Sequence, residues 1–141
     1  MTSSPGIEQD IKNGVTVVVD RYFYSGCVYS AAKQNPLLDI QWARQPDTHL
    51  PRPDIVIFLD LSVEDTVQRG GFGEERYEKK AMQDRVRELF YTMQQGPDGE
   101  DFVKIDAGQS VDAVEREIFG AIQVMMQRVD SDDSPLRRVS P

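Results

Sequence analysis

The chain has 141 residues and a formal net charge of −8, with 39% hydrophobic and 28% charged residues. That length allows one domain with a buried core, and the composition fits a soluble globular chain. The acidic balance argues against general affinity for nucleic acid or an anionic membrane, and a lone cysteine, Cys27, excludes an internal disulfide.

No internal repeat is present. Residues 7–13 read as the last turns of a helix, with Gly14 as its stop. Residues 15–19 (Val-Thr-Val-Val-Val) are a β-branched run suited to a strand buried on both faces. The run ends in Asp20 and Arg21, at the carboxyl end where open parallel sheets place their ligands. Residues 22–33 predict a helix rich in small and aromatic residues. Residues 35–53 carry prolines and Trp42, the pattern of a loop with short helical pieces. Residues 54–61 predict a second buried strand. Ser62 to Asp65 resembles a capping box, with Asp in place of the usual Glu or Gln, so a short helix runs to about Arg69. Residues 70–80 are glycine-rich and charged, and mobility is expected there. Met82, Val86, Leu89, Phe90 and Met93 recur at helical spacing. Residues 96–99 turn, and residues 102–105 form a third strand ending at Asp106. Ser110 caps a final helix with the apolar stripe Val114, Ile118, Ile122 and Met125. Residues 130–141 read as a disordered polar tail. Alternating strands and helices imply α/β with a parallel sheet, although three strands are few for one. The longest apolar stretch, residues 55–61, is too short to cross a bilayer, and residues 1–5 lack a secretory pattern. The expected location is cytoplasmic, with nuclear access open.

Asp20 and Arg21 carry the chemistry. An arginine at a strand end offers a planar fork matched to phosphate oxygens. An aspartate there holds magnesium, directly or through water. The plainer alternatives are a surface ion pair between the two, or an Asp20 that only orients Arg21.

Residues 20–33, which begin Asp20-Arg21-Tyr22-Phe23-Tyr24-Ser25-Gly26, are similar to the aspartate-arginine-tyrosine motif of thymidylate kinases. Gln45-Pro46-Asp47 and Leu50-Pro51-Arg52-Pro53-Asp54 resemble the next segment of that family, and residues 69–78 resemble its lid. The resemblance covers residues 7–128, with a lid at about 69–80. Residues 1–6 stand outside it as an extension, and residues 129–141 as the tail. It implies a three-layer α/β/α parallel sheet of the P-loop nucleoside monophosphate kinase type. It also implies phosphoryl transfer from ATP to dTMP, giving dTDP for dTTP synthesis, with Mg2+ as cofactor. By the same resemblance Arg21 grips the acceptor phosphate and Asp20 organises magnesium through water. Gly26 allows close approach of the nucleotide to the backbone. Tyr29 stands where the family puts an aromatic beside sugar and base, with a core aromatic as the other reading. Close relatives carry phenylalanine there, so the hydroxyl is a departure. Tyr77 and Gln83 close over the thymidine, and a glutamine offers the donor and acceptor that suit a pyrimidine edge. Arg69 packs on adenine and Arg76 reaches the transferring phosphates. Gly108 and Gln109 sit in the loop that holds adenine. Homodimerisation is implied by the family alone.

One motif is missing: G-x-x-x-x-G-K-S/T occurs nowhere in the sequence. That loop cradles the donor phosphates, and in the family it follows a central first strand. The expectation is therefore a piece of a longer kinase, inactive by itself, whose strand edges lack a neighbour at a cost of roughly 1–3 kcal/mol per buried unpaired group. Two alternatives stand beside it. One is a non-catalytic nucleotide-binding or dimerising paralogue. The other is a kinase for a different nucleotide or nucleoside.

Overall fold

The structure is a computed structural model that describes residues 4–33, 39–69 and 76–140, with the side chains of residues 4, 67, 69 and 76–79 outside the description. Eight regular elements are named within those residues: helices α1 (Ser4–Lys12), α2 (Phe23–Ala32) and α3 (Ile40–Arg44), strand β1 (Val56–Asp60), helices α4 (Val63–Arg69) and α5 (Arg76–Gln94), strand β2 (Phe102–Asp106) and helix α6 (Val111–Asp130). They group into two compact units. The first comprises Met1–Arg52, Met82–Phe90 and Pro135–Pro141; the second comprises Pro53–Ala81 and Tyr91–Ser134.

In the first unit α1 stops where the sequence predicts. Gly14 adopts φ +77°, a left-handed conformation that costs glycine little. Its amide donates to the Ile11 carbonyl (2.9 Å), and Val15 donates to that of Asp10 (3.0 Å). Helix α2 buries Phe23, Tyr24, Cys27, Val28 and Ala32, which recur at three- and four-residue spacing, and packs against α3. Asp39 caps α3 by accepting from the Trp42 amide (2.6 Å). Arg85 donates through Nε to the carbonyl of Ala32 (3.2 Å), covering the last turn of α2, while Val86 is buried beside it in sequence.

The expected strand over residues 15–19 is not formed. No residue in it is assigned to a strand, and Val15 and Val18 are 51% and 87% exposed. The physical reason is the lack of a partner. A β-branched run becomes a strand only when a neighbouring backbone takes its hydrogen bonds, and none does so among the described residues.

The second unit does contain the expected parallel pairing. β1 and β2 run side by side in register, from Val56 opposite Phe102 to Asp60 opposite Asp106. The α/β class therefore holds, with two strands in the sheet among the described residues. β1 is half-buried rather than buried on both faces, and Leu59 is 49% exposed. Phe102 and Ile105 on β2 are buried. Ser110 caps α6 by accepting from the Ala113 amide (3.2 Å), and α6 packs against β2. Its stripe of Val114, Ile118, Ile122 and Met125 is half-buried. The capping box at α4 is present in altered form. Ser62 Oγ accepts from the Asp65 amide (3.1 Å), but the shorter Asp65 side chain meets the Ser62 hydroxyl (2.7 Å). Among the described residues no helix is long and apolar enough to cross a membrane.

The turn after α5 leaves no room for a side chain at Gly99. A Cβ there would overlap the carbonyl group of Gln94. Gly99→Ala is expected to destabilise the fold by about 1–3 kcal/mol, read as a lower urea midpoint at unchanged m-value. A second prediction concerns Cys27, which is fully buried. Its thiol donates to the Ala43 carbonyl (3.4 Å) and lies 3.9 Å from Asp47 Oδ2. Burial first, and the Asp47 carboxylate second, push it from an ordinary 9.0 up to about 11. Iodoacetamide should therefore label the folded protein at pH 8.5 at least roughly a hundredfold more slowly than the urea-unfolded chain.

Candidate functional site

The residues expected at the acceptor side all fall in the first unit. Asp20 and Arg21 follow the unpaired run and precede α2, whose amino-terminal cap is Tyr22. Arg21 has φ +62°, a left-handed backbone that is uncommon for a residue with a side chain. The conformation presents Arg21 exposed at the amino terminus of α2, the end whose dipole favours anions. The guanidinium carbon lies 5.6 Å from the centre of the Tyr29 ring, a cation–π distance. Arg21 makes no ion pair with Asp20 or another acid among the described residues. The plain ion-pair alternative is thus absent, and Tyr29, 38% exposed, is not a core aromatic. Gly26 lies on the exposed side of α2, and a Cβ built there meets nothing within 4 Å. Gln83 is exposed on the part of α5 that belongs to the same unit. Of these five residues, the structure brings Arg21 and Tyr29 into contact.

Tyr22 has a role that the sequence reading overlooks. Its hydroxyl donates to the Pro51 carbonyl (3.1 Å). Burial, followed by the charge of Asp47, raises its pKa, so the hydroxyl remains a donor through neutral pH. The Asp47 carboxyl is itself raised by burial, an effect opposed by its hydrogen bond from Cys27. The family-like segment around residues 45–54 therefore bears directly on the residue next to Arg21.

The residues expected at the donor side fall in the second unit. Gly108 and Gln109 follow β2 at the carboxyl end of the sheet, where the chain leaves the ladder. The Gly108 amide donates to Asp106 Oδ1 (2.8 Å), and Gln109 Nε2 donates to the Asp106 carbonyl (3.0 Å) and to Glu117 Oε1 (2.9 Å). A Cβ on Gly108 would lie 2.8 Å from Asp65 Oδ2 and 3.0 Å from Asp106 Oδ1, so a larger residue there would displace these carboxylates. At the neighbouring strand end, Asp60 accepts a 2.6 Å hydrogen bond from the Tyr91 hydroxyl, and its carbonyl accepts from the Ala107 amide (2.7 Å). Nothing in the sequence pairs Asp60 with Tyr91, because 31 positions separate them. Arg69 ends α4, and Arg76 and Tyr77 begin α5; their side chains, and residues 70–75 of the expected lid, lie outside the described residues. Phe119 is exposed beside a groove on α6 that contains none of the candidate residues.

No group of three or more His, Cys, Asp or Glu forms a metal cage among the described residues. A magnesium ion carried by substrate phosphates needs no such cage; one carboxylate and water suffice. The exposed Asp20 carboxylate fits that requirement.

Comparison with known proteins bears on the same residues. A family model described as thymidylate kinase matches residues 2–118. The thymidylate kinase of Homo sapiens is 42% identical over 114 residues, which is 81% of this chain and 52% of the human protein. That of Schizosaccharomyces pombe is 43% identical over 118 residues, covering 82% of this chain and 55% of the yeast protein. The chain thus spans about half the length of the curated relatives it matches. The structure of thymidylate kinase from Candida albicans superposes with a TM-score of 0.68 at 24% identity, over 97% of this chain and 68% of the other. A parallel α/β fold, an exposed arginine ahead of α2 and a family match over more than two thirds of the residues agree, and the chain belongs to the thymidylate kinase family.

Proposed function

We propose that this chain supplies the acceptor side of phosphoryl transfer from ATP to dTMP, giving dTDP. The observation that carries the reading is Arg21: exposed, left-handed in backbone, within cation–π distance of Tyr29, and paired with no acid among the described residues. A guanidinium left to solvent in a chain of net charge −8 would ordinarily find a carboxylate. Its fork matches two phosphate oxygens, and binding there neutralises charge on the acceptor. Phosphoryl transfer requires little of a protein beyond such positioning and charge compensation.

In this reading the Tyr29 ring lies under the guanidinium and limits its rotation, with one face available to sugar or base. Gly26 leaves the α2 surface open, and Gln83 offers its amide to the pyrimidine edge. Asp20 would hold magnesium, which supplies charge neutralisation on the phosphates when bound. Gly108 and Gln109, with Arg69, Arg76 and Tyr77, are assigned to the ATP and lid side. The same reading includes a homodimer and a cytoplasmic reaction. It also includes no turnover by these 141 residues alone, because the sequence lacks G-x-x-x-x-G-K-S/T to cradle the donor phosphates.

Titration calorimetry of dTMP and of thymidine against the full chain tests the acceptor role. Loss of a charge-assisted bidentate contact is worth about 1.5–3 kcal/mol, so Arg21→Ala should weaken dTMP roughly 10- to 150-fold. Arg21→Lys should recover only part of that loss. Thymidine, which lacks the phosphate, should bind wild type and both variants alike. Equal dTMP affinity in wild type and Arg21→Ala would remove the basis of the assignment.

A further inference from the structure

The segment after α6, expected to be a disordered tail, ends in specific contacts. Its last described residues lie antiparallel to the loop at residues 49–52. The His49 amide donates to the Val139 carbonyl (3.0 Å), the Val139 amide to Leu50 (2.9 Å) and the Arg52 amide to Arg137 (2.9 Å), around a bridge between Pro51 and Arg138. Val139 is 1% exposed. Arg138 clamps the arrangement. Its two terminal nitrogens reach the two carboxylate oxygens of Glu8 on α1 (2.7 and 3.1 Å), and Nη1 also donates to the His49 carbonyl (3.1 Å). Arg44 Nη2 donates to the Ser140 carbonyl (3.2 Å).

This strap is linked to the acceptor side by a hydrogen bond. The carbonyl of Pro51, within the strapped loop, receives the Tyr22 hydroxyl. Tyr22 adjoins Arg21, and the two left-handed non-glycine residues of the described chain are Arg21 (φ +62°) and His49 (φ +75°). Such conformations persist only where their surroundings over-determine them. For His49 the surroundings are the strap itself, which bonds both its amide and its carbonyl. Next to Arg21, Tyr22 is held twice: its carbonyl accepts from the Ser25 amide (3.0 Å), and its hydroxyl donates to Pro51 (3.1 Å). The charges of Asp47, Arg138 and Glu8 bear on Tyr22.

We propose that Arg138 is a positioning residue for Arg21: by clamping the carboxyl-terminal strap to Glu8 and His49, it fixes the Pro51 carbonyl that holds Tyr22, and so the backbone that aims the guanidinium. The inference rests on the reading of Arg21 as the phosphate-binding group, and its test separates the two. Amide hydrogen exchange of the full chain, followed by mass spectrometry, reports the link without any ligand. The clamp is partly exposed, so the effect is modest. Arg138→Ala should speed exchange about two- to fivefold at residues 137–139, at residues 49–52, and also at residues 22–26. Tyr22→Phe should speed residues 22–26 while the strap stays closed. The exchanged pair Glu8→Arg with Arg138→Glu should restore the ion pair but only part of the wild-type pattern, because a carboxylate cannot donate to the His49 carbonyl. In binding, Arg138→Ala should weaken dTMP by a similar factor and leave thymidine unchanged, a selectivity that mere loss of stability would not produce. The proposal is overturned if Arg138→Ala opens the strap while residues 22–26 and dTMP affinity stay as in wild type. It is overturned equally if exchange rises uniformly, β1 and β2 included, with Tyr22→Phe silent. Should wild type bind no dTMP, the function assigned to Arg21 fails, and the exchange data still decide the mechanical link.

Discussion

The parallel ladder between Val56–Asp60 and Phe102–Asp106 is the interaction on which the second unit is built. It takes up the backbone polar groups of two apolar segments and brings their carboxyl ends level. Both strands therefore end in an aspartate at the same height, Asp60 opposite Asp106. The turn from Asp106 to Gly108 leaves from that rim, closed by the Asp106 carboxylate on the Gly108 amide. Residues 15–19 show the same constraint from the other side. They are at least as β-branched as either strand, yet they remain irregular and mostly exposed, with no strand partner among the described residues. Apolar composition alone does not make a strand; pairing does.

In the first unit the governing feature is backbone conformation at a charged residue. Arg21 would be cheaper in an extended or helical conformation. Held left-handed, it places its guanidinium outward, at the amino terminus of α2 and over Tyr29. Helix α2 is well anchored for this purpose. Its buried face is continuous from Phe23 to Ala32, its last turn is covered by Arg85, and Cys27 is tied to Ala43. A rigid helix start beside a strained residue is a common way to aim a side chain at a ligand.

Electrostatics point the same way. A chain of net charge −8 repels nucleotides at long range, so the phosphate recognition proposed for it would have to be local. One exposed guanidinium over an aromatic ring, at the positive end of a helix, is a local solution. The rim of the second unit is acidic by contrast, with Asp60, Asp65 and Asp106 close in the fold or in the ladder. Contacts with a nucleotide at Gly108 and Gln109 would involve backbone and amide groups rather than charge.

Much of this was legible in the amino-acid order. The helices announce themselves by three- and four-residue apolar spacing, and their ends by Gly14, Ser62 and Ser110, because capping is a matter of adjacent residues. The Asp20-Arg21-Tyr22 motif, with the segments after it, identified the family before any coordinates. What the order of residues could not decide were contacts between positions far apart: the failure of residues 15–19 to pair, the Asp60–Tyr91 hydrogen bond, and the strap that ties Arg138 to Glu8 across 130 positions. The left-handed backbone at Arg21 belongs with them. Local preferences are written in short windows of sequence, whereas partners for a strand edge, a buried hydroxyl or a terminal strap exist only once the chain has folded and brought them within reach.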